Sequence, residues 1–272
     1  MSRTLVIAAH PDEPEIYAGG TAALLARAGH AVKFLTLTNG DAGHHVMERG
    51  PLARRRAEEA WRAADALGVV DYGIFDIHDG LLEPTVANRL RVLAEIRAWR
   101  PDVVIALHAD GPGHPDNRAA GRLVEHAVAF CTTRNVEAGK PPLARQPVCL
   151  VMTDYASLGF HEPDLAVAVD PVIDAKLDGC LAHASQFLEY APWQRGFLDK
   201  APAEGDVAGG RAFVEEYWRE FLVADERARP LLEKQYGADR AAGVRYAETF
   251  KVAEYGRQVG EGELRDLLGI FG

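Results

Sequence analysis

Apolar and polar positions along this chain follow a repeating order: a short apolar run, a polar loop, then a longer stretch with helical spacing. Residues 4–9 (TLVIAA) form the first run and residues 16–28 the first helix. The order recurs as a strand at 32–37 with a helix at 52–67, a strand at 72–77 with a helix at 85–99, and a strand at 103–107 with a helix at 118–130. Four such units predict an α/β fold of the Rossmann-like kind, a doubly wound, mainly parallel sheet with helices on both faces. Further strands are expected at 148–152 and 165–169, followed by a helix from 171 to about 188. Residues 193–210 mix Pro, Gly, Asp and Lys and read as a long loop, a lid or a linker, ahead of terminal helices. The expected organisation is an α/β domain over 1–192, with a loop and helical C-terminal extension over 193–272 packed on it.

Charge and composition narrow the class of partner. The 272 residues carry a formal net charge of −10, which argues against nucleic acid, whose binding draws its affinity from Lys and Arg neutralising phosphates. The run Arg54-Arg55-Arg56 is followed by Glu58 and Glu59 and reads as a solvated helix face rather than an anion site. No stretch approaches the ~20 apolar residues that span a bilayer, and Met1-Ser2-Arg3 leads into the first strand without a signal-peptide pattern. A cytoplasmic protein without a membrane partner is expected. Cys131, Cys149 and Cys180 lie far apart among apolar neighbours and read as reduced core residues.

The polar loops after the apolar runs hold the candidate chemistry, because ligands of open α/β sheets bind beyond the carboxyl ends of the strands. The first is followed by His10-Pro11-Asp12-Glu13, the second by Asp41, His44 and His45, the third by His78 and Asp79, and the fourth by His108, Asp110, His114, Asp116 and Asn117. His10, Asp12 and Glu13 offer an imidazole and two carboxylates within four residues, donor types that suit zinc and similar divalent ions. One carboxylate can bind metal while the other takes a proton from attacking water, and His114, steadied by Asp116, can stabilise an oxyanion. Helix capping explains one such cluster equally well. The repeat of His-Pro-Asp at His114 to Asp116, across an expected switch point, is what capping leaves unexplained.

Taken together these residues resemble the LmbE-like or PIG-L family, zinc-dependent deacetylases of N-acetylglucosamine-type substrates. The resemblance rests on AHPDEPEIYAGGT after the first strand, LTNGDAG after the second, the Arg55/Glu58 helix ending in Leu67-Gly68, HDGLLEPT, HPDNR, HASQ at 183–186 and YAETFKVAEYGRQ at 246–258. It implies that His10 is a metal ligand, Asp12 the general base and Glu13 a ligand in place of the family's usual aspartate. It further implies that His114 and Asp116 stabilise the oxyanion and that Arg55 and Asp79 contact substrate. Asn117 stands where the family has a second metal-binding histidine.

An amide oxygen is a poorer zinc donor than imidazole and suits calcium, magnesium or manganese better. Three outcomes are open: a weakened zinc site, a site that takes another divalent cation or recruits His108 or His44, and a site that has lost metal catalysis. Arg55 has an ordinary alternative in pairing with Glu58 or Glu59, and Asp79-Gly80 is also a turn signal. His44 and His45 either line the pocket or supply a replacement ligand. Trp193, Tyr217 and Trp218 fit core packing or a subunit contact better than sugar stacking.

The leading expectation is a metal-dependent N-deacetylase acting on the linear amide C–N bond of an N-acylated sugar conjugate or related small molecule, with homo-oligomerisation left open. The alternative from another class is a non-catalytic or altered-metal small-molecule binding protein on the same fold. A metal-free glycosidase fits poorly, because Asp12 and Glu13 are adjacent and cannot flank a bond from opposite sides.

Overall fold

The computed structural model describes residues 1–203 and 205–271. Its first half alternates β1 (Arg3–Ala8), α1 (Glu13–Arg27), β2 (Ala31–Thr36), α2 (Arg49–Leu67), β3 (Asp71–Ile74), α3 (Val86–Trp99), β4 (Val103–Ala106) and α4 (Pro115–Phe130). The strands are short and almost wholly apolar because helices cover both faces of the sheet. Helices α1 and α2 pack on one side, whereas α3 and α4 pack on each other. β5 (Val148–Met152) and β6 (Leu165–Ala168) follow, then α5 (Ile173–Ala182), which joins the layer of α1 and α2. The remainder carries α6 (Ala191–Arg195), α7 (Val207–Tyr217), α8 (Ala228–Tyr236), α9 (Ala238–Gly243), β7 (Ala247–Val252) and α10 (Glu261–Leu268). Cys131, Cys149 and Cys180 are free and buried.

The seven strands run in the order β3-β2-β1-β4-β5-β7-β6, parallel except for β7, which is antiparallel to both neighbours. Strand order reverses between β1 and β4, so their C-terminal ends diverge into a crevice. The His-Pro-Asp loops leave from these two strands.

Three departures from the sequence reading have physical causes. First, α1 and α4 begin three residues early, at Glu13 and Pro115. Pro14 and Pro115 lack an N–H that the first helical turn would leave unpaired, so proline opens these helices instead of preceding them. Both motifs therefore sit on helix N-termini. Second, the expected helix from 171 to 188 ends at Ala182, and after His183 the chain continues as a π-helical turn, Ser185–Tyr190, into α6. The expected loop at 193–210 is thus partly helical at both ends; Glu204 within it, like Gly272, lies outside the described residues.

Third, the expected helical extension contributes β7 to the sheet, between β5 and the edge strand β6. The sequence hides this strand because Glu248 occupies a core position. Its carboxylate accepts the amides of Gly20 and Thr21, each at 2.7 Å, and meets Lys176 Nζ of α5 at 2.7 Å. Both ionised groups are buried and bond each other, the condition under which a charge is tolerated in a core. Gly20 is needed at this approach, since a Cβ there would stand 2.7 Å from Val169 Cγ1.

Candidate functional site

A cavity of about 660 Å³ opens over the ends of β1 and β4. His10, Asp12, Glu13, Asp79 and His114 form its floor, and Tyr190, Arg195, Trp218 and Phe221 stand in its wall. Asp12 enters α1 with φ 105°, a left-handed conformation that costs a residue other than glycine about 1–3 kcal/mol. The guanidinium of Arg56 holds it there by donating to the Pro11 carbonyl and to the Gly40 carbonyl at 2.9 Å, with a nitrogen 3.2 Å from Asp12 Oδ1. Burial pushes the Asp12 carboxyl up to about 6, against the opposing pull of Arg56.

His10 is enclosed by carboxylates. Its Nε2 lies 3.0 Å from Asp79 Oδ1 and 3.4 Å from Asp116 Oδ2, and its Nδ1 lies 3.4 Å from Glu13 Oε1. Burial disfavours a charged ring, yet Glu13, Asp116 and Asp79 outweigh it and raise the pKa of His10. The same proximity holds Glu13 and Asp79 below the ordinary carboxylate range despite their burial. Glu13 spends Oε2 on the amides of Ala9 and His10, at 2.9 and 2.8 Å, which fixes Oε1 on the His10 side.

His114 is the residue before α4, and its ring stands edge-on to His10 with centroids 4.8 Å apart. Its Nδ1 accepts the Asp116 backbone N–H at 3.3 Å, so in the neutral ring the proton resides on Nε2, a donor available to the cavity. The expected steadying of His114 by the Asp116 carboxylate is not what the structure shows. That carboxylate accepts the amides of Gly80 at 2.7 Å and Leu82 at 3.2 Å, tying the loop after β3 to α4.

Two donor sets could hold a metal ion, and both use His10. His10, Asp79 and His114 offer ligand atoms within 4.8 Å of one another. The other set combines His10 Nδ1 and Glu13 Oε1 with Asn117. Asn117 is fully buried, donates from Nδ2 to Asp154 Oδ2 at 3.2 Å, and leaves Oδ1 without a hydrogen-bond partner among the described residues.

The structure separates the remaining sequence candidates. Asp79 reaches the floor of the site, but Arg55 pairs with Glu59 at 3.0 Å and with Glu189, outside the residues lining the cavity. The neighbouring Arg56 takes the inward place, which overturns the solvated-face reading for that residue: the helical turn between 55 and 56 points one guanidinium along the surface and the other into the core. No signal in the sequence separates Arg56 from Arg54 and Arg55; its partners are Pro11, Asp12 and Gly40, far along the chain. His44 bonds Glu189 at 2.9 Å and stacks on His45, which stacks on Trp193. These rings brace the loop after β2 and do not line the cavity. Trp218 does line it, while Tyr217 packs on Phe197. Sequence reasoning also missed Gln186 of the π-helical turn, which lines the cavity and bonds the Gly43 carbonyl at 3.0 Å.

His108 does not enter the donor sets. Its Nε2 meets His161 Nδ1 at 2.9 Å, and α4 lies against its backbone so closely that a Cβ on Gly121 would stand 2.5 Å from the His108 carbonyl. Burial lowers both imidazoles to about 4. A histidine in the unfolded chain titrates near about 6.5, so the unfolded state takes up protons first as pH falls. The stability these neutral rings contribute is full above about 6.5 and lost progressively towards about 4. The melting temperature is expected to fall across that window, with a shallower slope in His108→Gln. An unchanged slope overturns the assignment.

Residues 5–128 match the family model described as PIG-L, GlcNAc-PI de-N-acetylase. The chain is 35% identical over 222 residues to a diacetylchitobiose deacetylase of Thermococcus kodakarensis, covering 78% of this chain and 80% of the relative. It is 30% identical over 193 residues, 67% of this chain and 82% of the relative, to a probable N-acetyl-alpha-D-glucosaminyl L-malate deacetylase 2 of Bacillus cereus. The solved N,N'-diacetylchitobiose deacetylase of Pyrococcus horikoshii superposes with a TM-score of 0.68 at 25% identity, over 93% of this chain and 84% of that one.

Proposed function

We propose that this chain, which belongs to the PIG-L (LmbE-like) family of de-N-acetylases, is a metal-dependent hydrolase that removes the acetyl group from an N-acetylated glucosamine conjugate. The observation that carries the reading is the pairing of Asp12 with His114 Nε2 across one cavity: a buried carboxylate raised towards neutral pH, and an imidazole N–H fixed by its own backbone bond. A divalent cation suits His10 Nδ1 and Glu13 Oε1, with Asn117 beside them at the third position. Both carboxylates on the Nε2 side of His10 orient the ring as outer carboxylates orient a ligating imidazole. The protonated Nε2 of His114 argues against the alternative set with Asp79. When bound, zinc or another divalent cation supplies Lewis-acid polarisation of the acyl carbonyl.

The chain's own residues perform the proton transfers. Asp12 takes the proton of the attacking water and delivers it to the departing amine. His114 donates Nε2–H to the oxyanion of the tetrahedral intermediate, while Asp116 keeps the helix start in register with the loop after β3. Tyr190, Trp218 and Phe221 supply apolar surface for the sugar conjugate. Acetate and free amine should appear in equal amounts from an N-acetylglucosamine conjugate when divalent cation is present, and chelation should stop the reaction. No hydrolysis with zinc, manganese, magnesium or calcium would replace this reading with the non-catalytic binding protein.

A further inference from the structure

Arg195 stands in the cavity wall as an exposed side chain whose guanidinium is held in place without an acidic partner. Helix α6 ends directly after it at Gly196, whose φ of 79° turns the chain back so that the ring of Phe197 lies under the guanidinium, 5.1 Å from it. The ring of Trp218 lies 5.4 Å from the same group. Both rings belong to one packed cluster, Phe197 being stacked on Tyr217 at 4.2 Å and edge-on to Trp218 at 6.2 Å. Nη1 donates to the Tyr217 carbonyl at 3.0 Å. Two aromatic faces and a carbonyl thus orient the guanidinium before any ligand arrives. Among the described residues no carboxylate forms an ion pair with it, and most of its N–H donors stay open.

The remaining charges of the cavity are unlike it. Asp12, Glu13 and Asp79 lie on the floor and Glu220 in the wall. The other arginine of the lining, Arg56, is spent on the carbonyls of Pro11 and Gly40 and on Asp12. Among the described lining residues, Arg195 is therefore the one arginine or lysine with donors left for a ligand. An acidic group on a ligand is repelled by the carboxylates of the floor and by Glu220, and is attracted at Arg195.

We propose that Arg195 determines specificity by binding an acidic group, a carboxylate or a phosphate, on the part of the conjugate remote from the acetamide, so that the chain prefers acidic N-acetylglucosamine conjugates to neutral ones. This rests on the deacetylase reading given above. A guanidinium fits both oxyanions with paired N–H donors. Repulsion at the floor and attraction at the wall together set the direction of binding, acetamide towards Asp12 and His114, acid towards Arg195.

Matched pairs of substrates test this by acetate release in the presence of a divalent cation. The carboxymethyl glycoside of N-acetylglucosamine is compared with its neutral carbamoylmethyl counterpart, and the 2-phosphoethyl glycoside with the 2-hydroxyethyl one. In the unaltered chain kcat/KM is expected to favour the acidic member of at least one pair by about tenfold or more, the scale of a charge-assisted hydrogen bond, with the difference carried by KM. The pair that shows it identifies the acid. The preference should shrink as salt is raised, and the acidic-to-neutral ratio should fall to within about twofold of one in Arg195→Gln, with part retained in Arg195→Lys. The ratio in the unaltered chain stands as a test even if Arg195→Gln fails to fold. A ratio near one for both pairs, in a chain that hydrolyses them, overturns the inference and leaves the hydrolase reading intact. A ratio that persists in Arg195→Gln, with both members slowed alike, or one indifferent to salt, also overturns it. Absence of hydrolysis of all four glycosides overturns both readings.

Discussion

Asp12→Asn is expected to lower turnover of an N-acetylated glucosamine conjugate by about 10²- to 10⁴-fold, the usual contribution of a positioned general base. Asparagine keeps the shape of the side chain and can still face Arg56 with its oxygen, so the left-handed turn before α1 and the melting temperature should change little. Metal affinity should also survive, since the donors invoked are His10 and Glu13. The pH profile supplies a separate readout. The ionised carboxylate is the active form, and burial sets its pKa at about 6, so turnover of the unaltered chain should decline as pH falls through about 6. The residual activity of the Asn variant should lack that acidic limb. Turnover within about threefold of the unaltered chain would remove Asp12 from the base role.

Lys176→Met should cost about 3–5 kcal/mol of stability, the usual consequence of leaving one member of a buried ion pair without its partner. Methionine fills a similar volume, so the loss would report the stranded charge of Glu248 and not a cavity. The pair links α5 to β7, and through the amides of Gly20 and Thr21 it also reaches the middle of α1, the helix that begins at the candidate site. Urea unfolding measures the effect as a lower midpoint at unchanged slope. A loss below about 1 kcal/mol, typical of a solvated pair, would show that the carboxylate finds water when the lysine is gone.

The first four β–α units were legible because both signals they carry are local. A fully covered parallel strand reads as an apolar run, and a surface helix reads as 3.6-residue spacing, without any knowledge of neighbours. The histidine and carboxylate clusters were legible for the same reason, as motifs at run ends, and so was the membership later borne out by the comparisons. The starts of α1 and α4 were missed by three residues because their first turns carry the polar motif residues, and apolar spacing begins only after them. β7 was missed because its buried glutamate looks like a surface residue until Lys176 is beside it. Arg56 was misplaced for a related reason: next to Arg54 and Arg55 it is indistinguishable in type, and only the rotation of α2 about its axis sends it inward.

The sequence by itself determined the α/β class, the alternation of the first four units and the loops in which the reactive side chains lie, since each depends on residue type and spacing along a few turns of chain. The tertiary structure alone decided which arginine supports Asp12, where the last strand enters the sheet, and how the hydrogen bonds of His10, His114 and Asn117 are allotted. Those bonds join residues tens of positions apart, His10 to Asp79 and Asn117 to Asp154 among them. In a buried site the direction of each donor and acceptor is set by the partner across the fold.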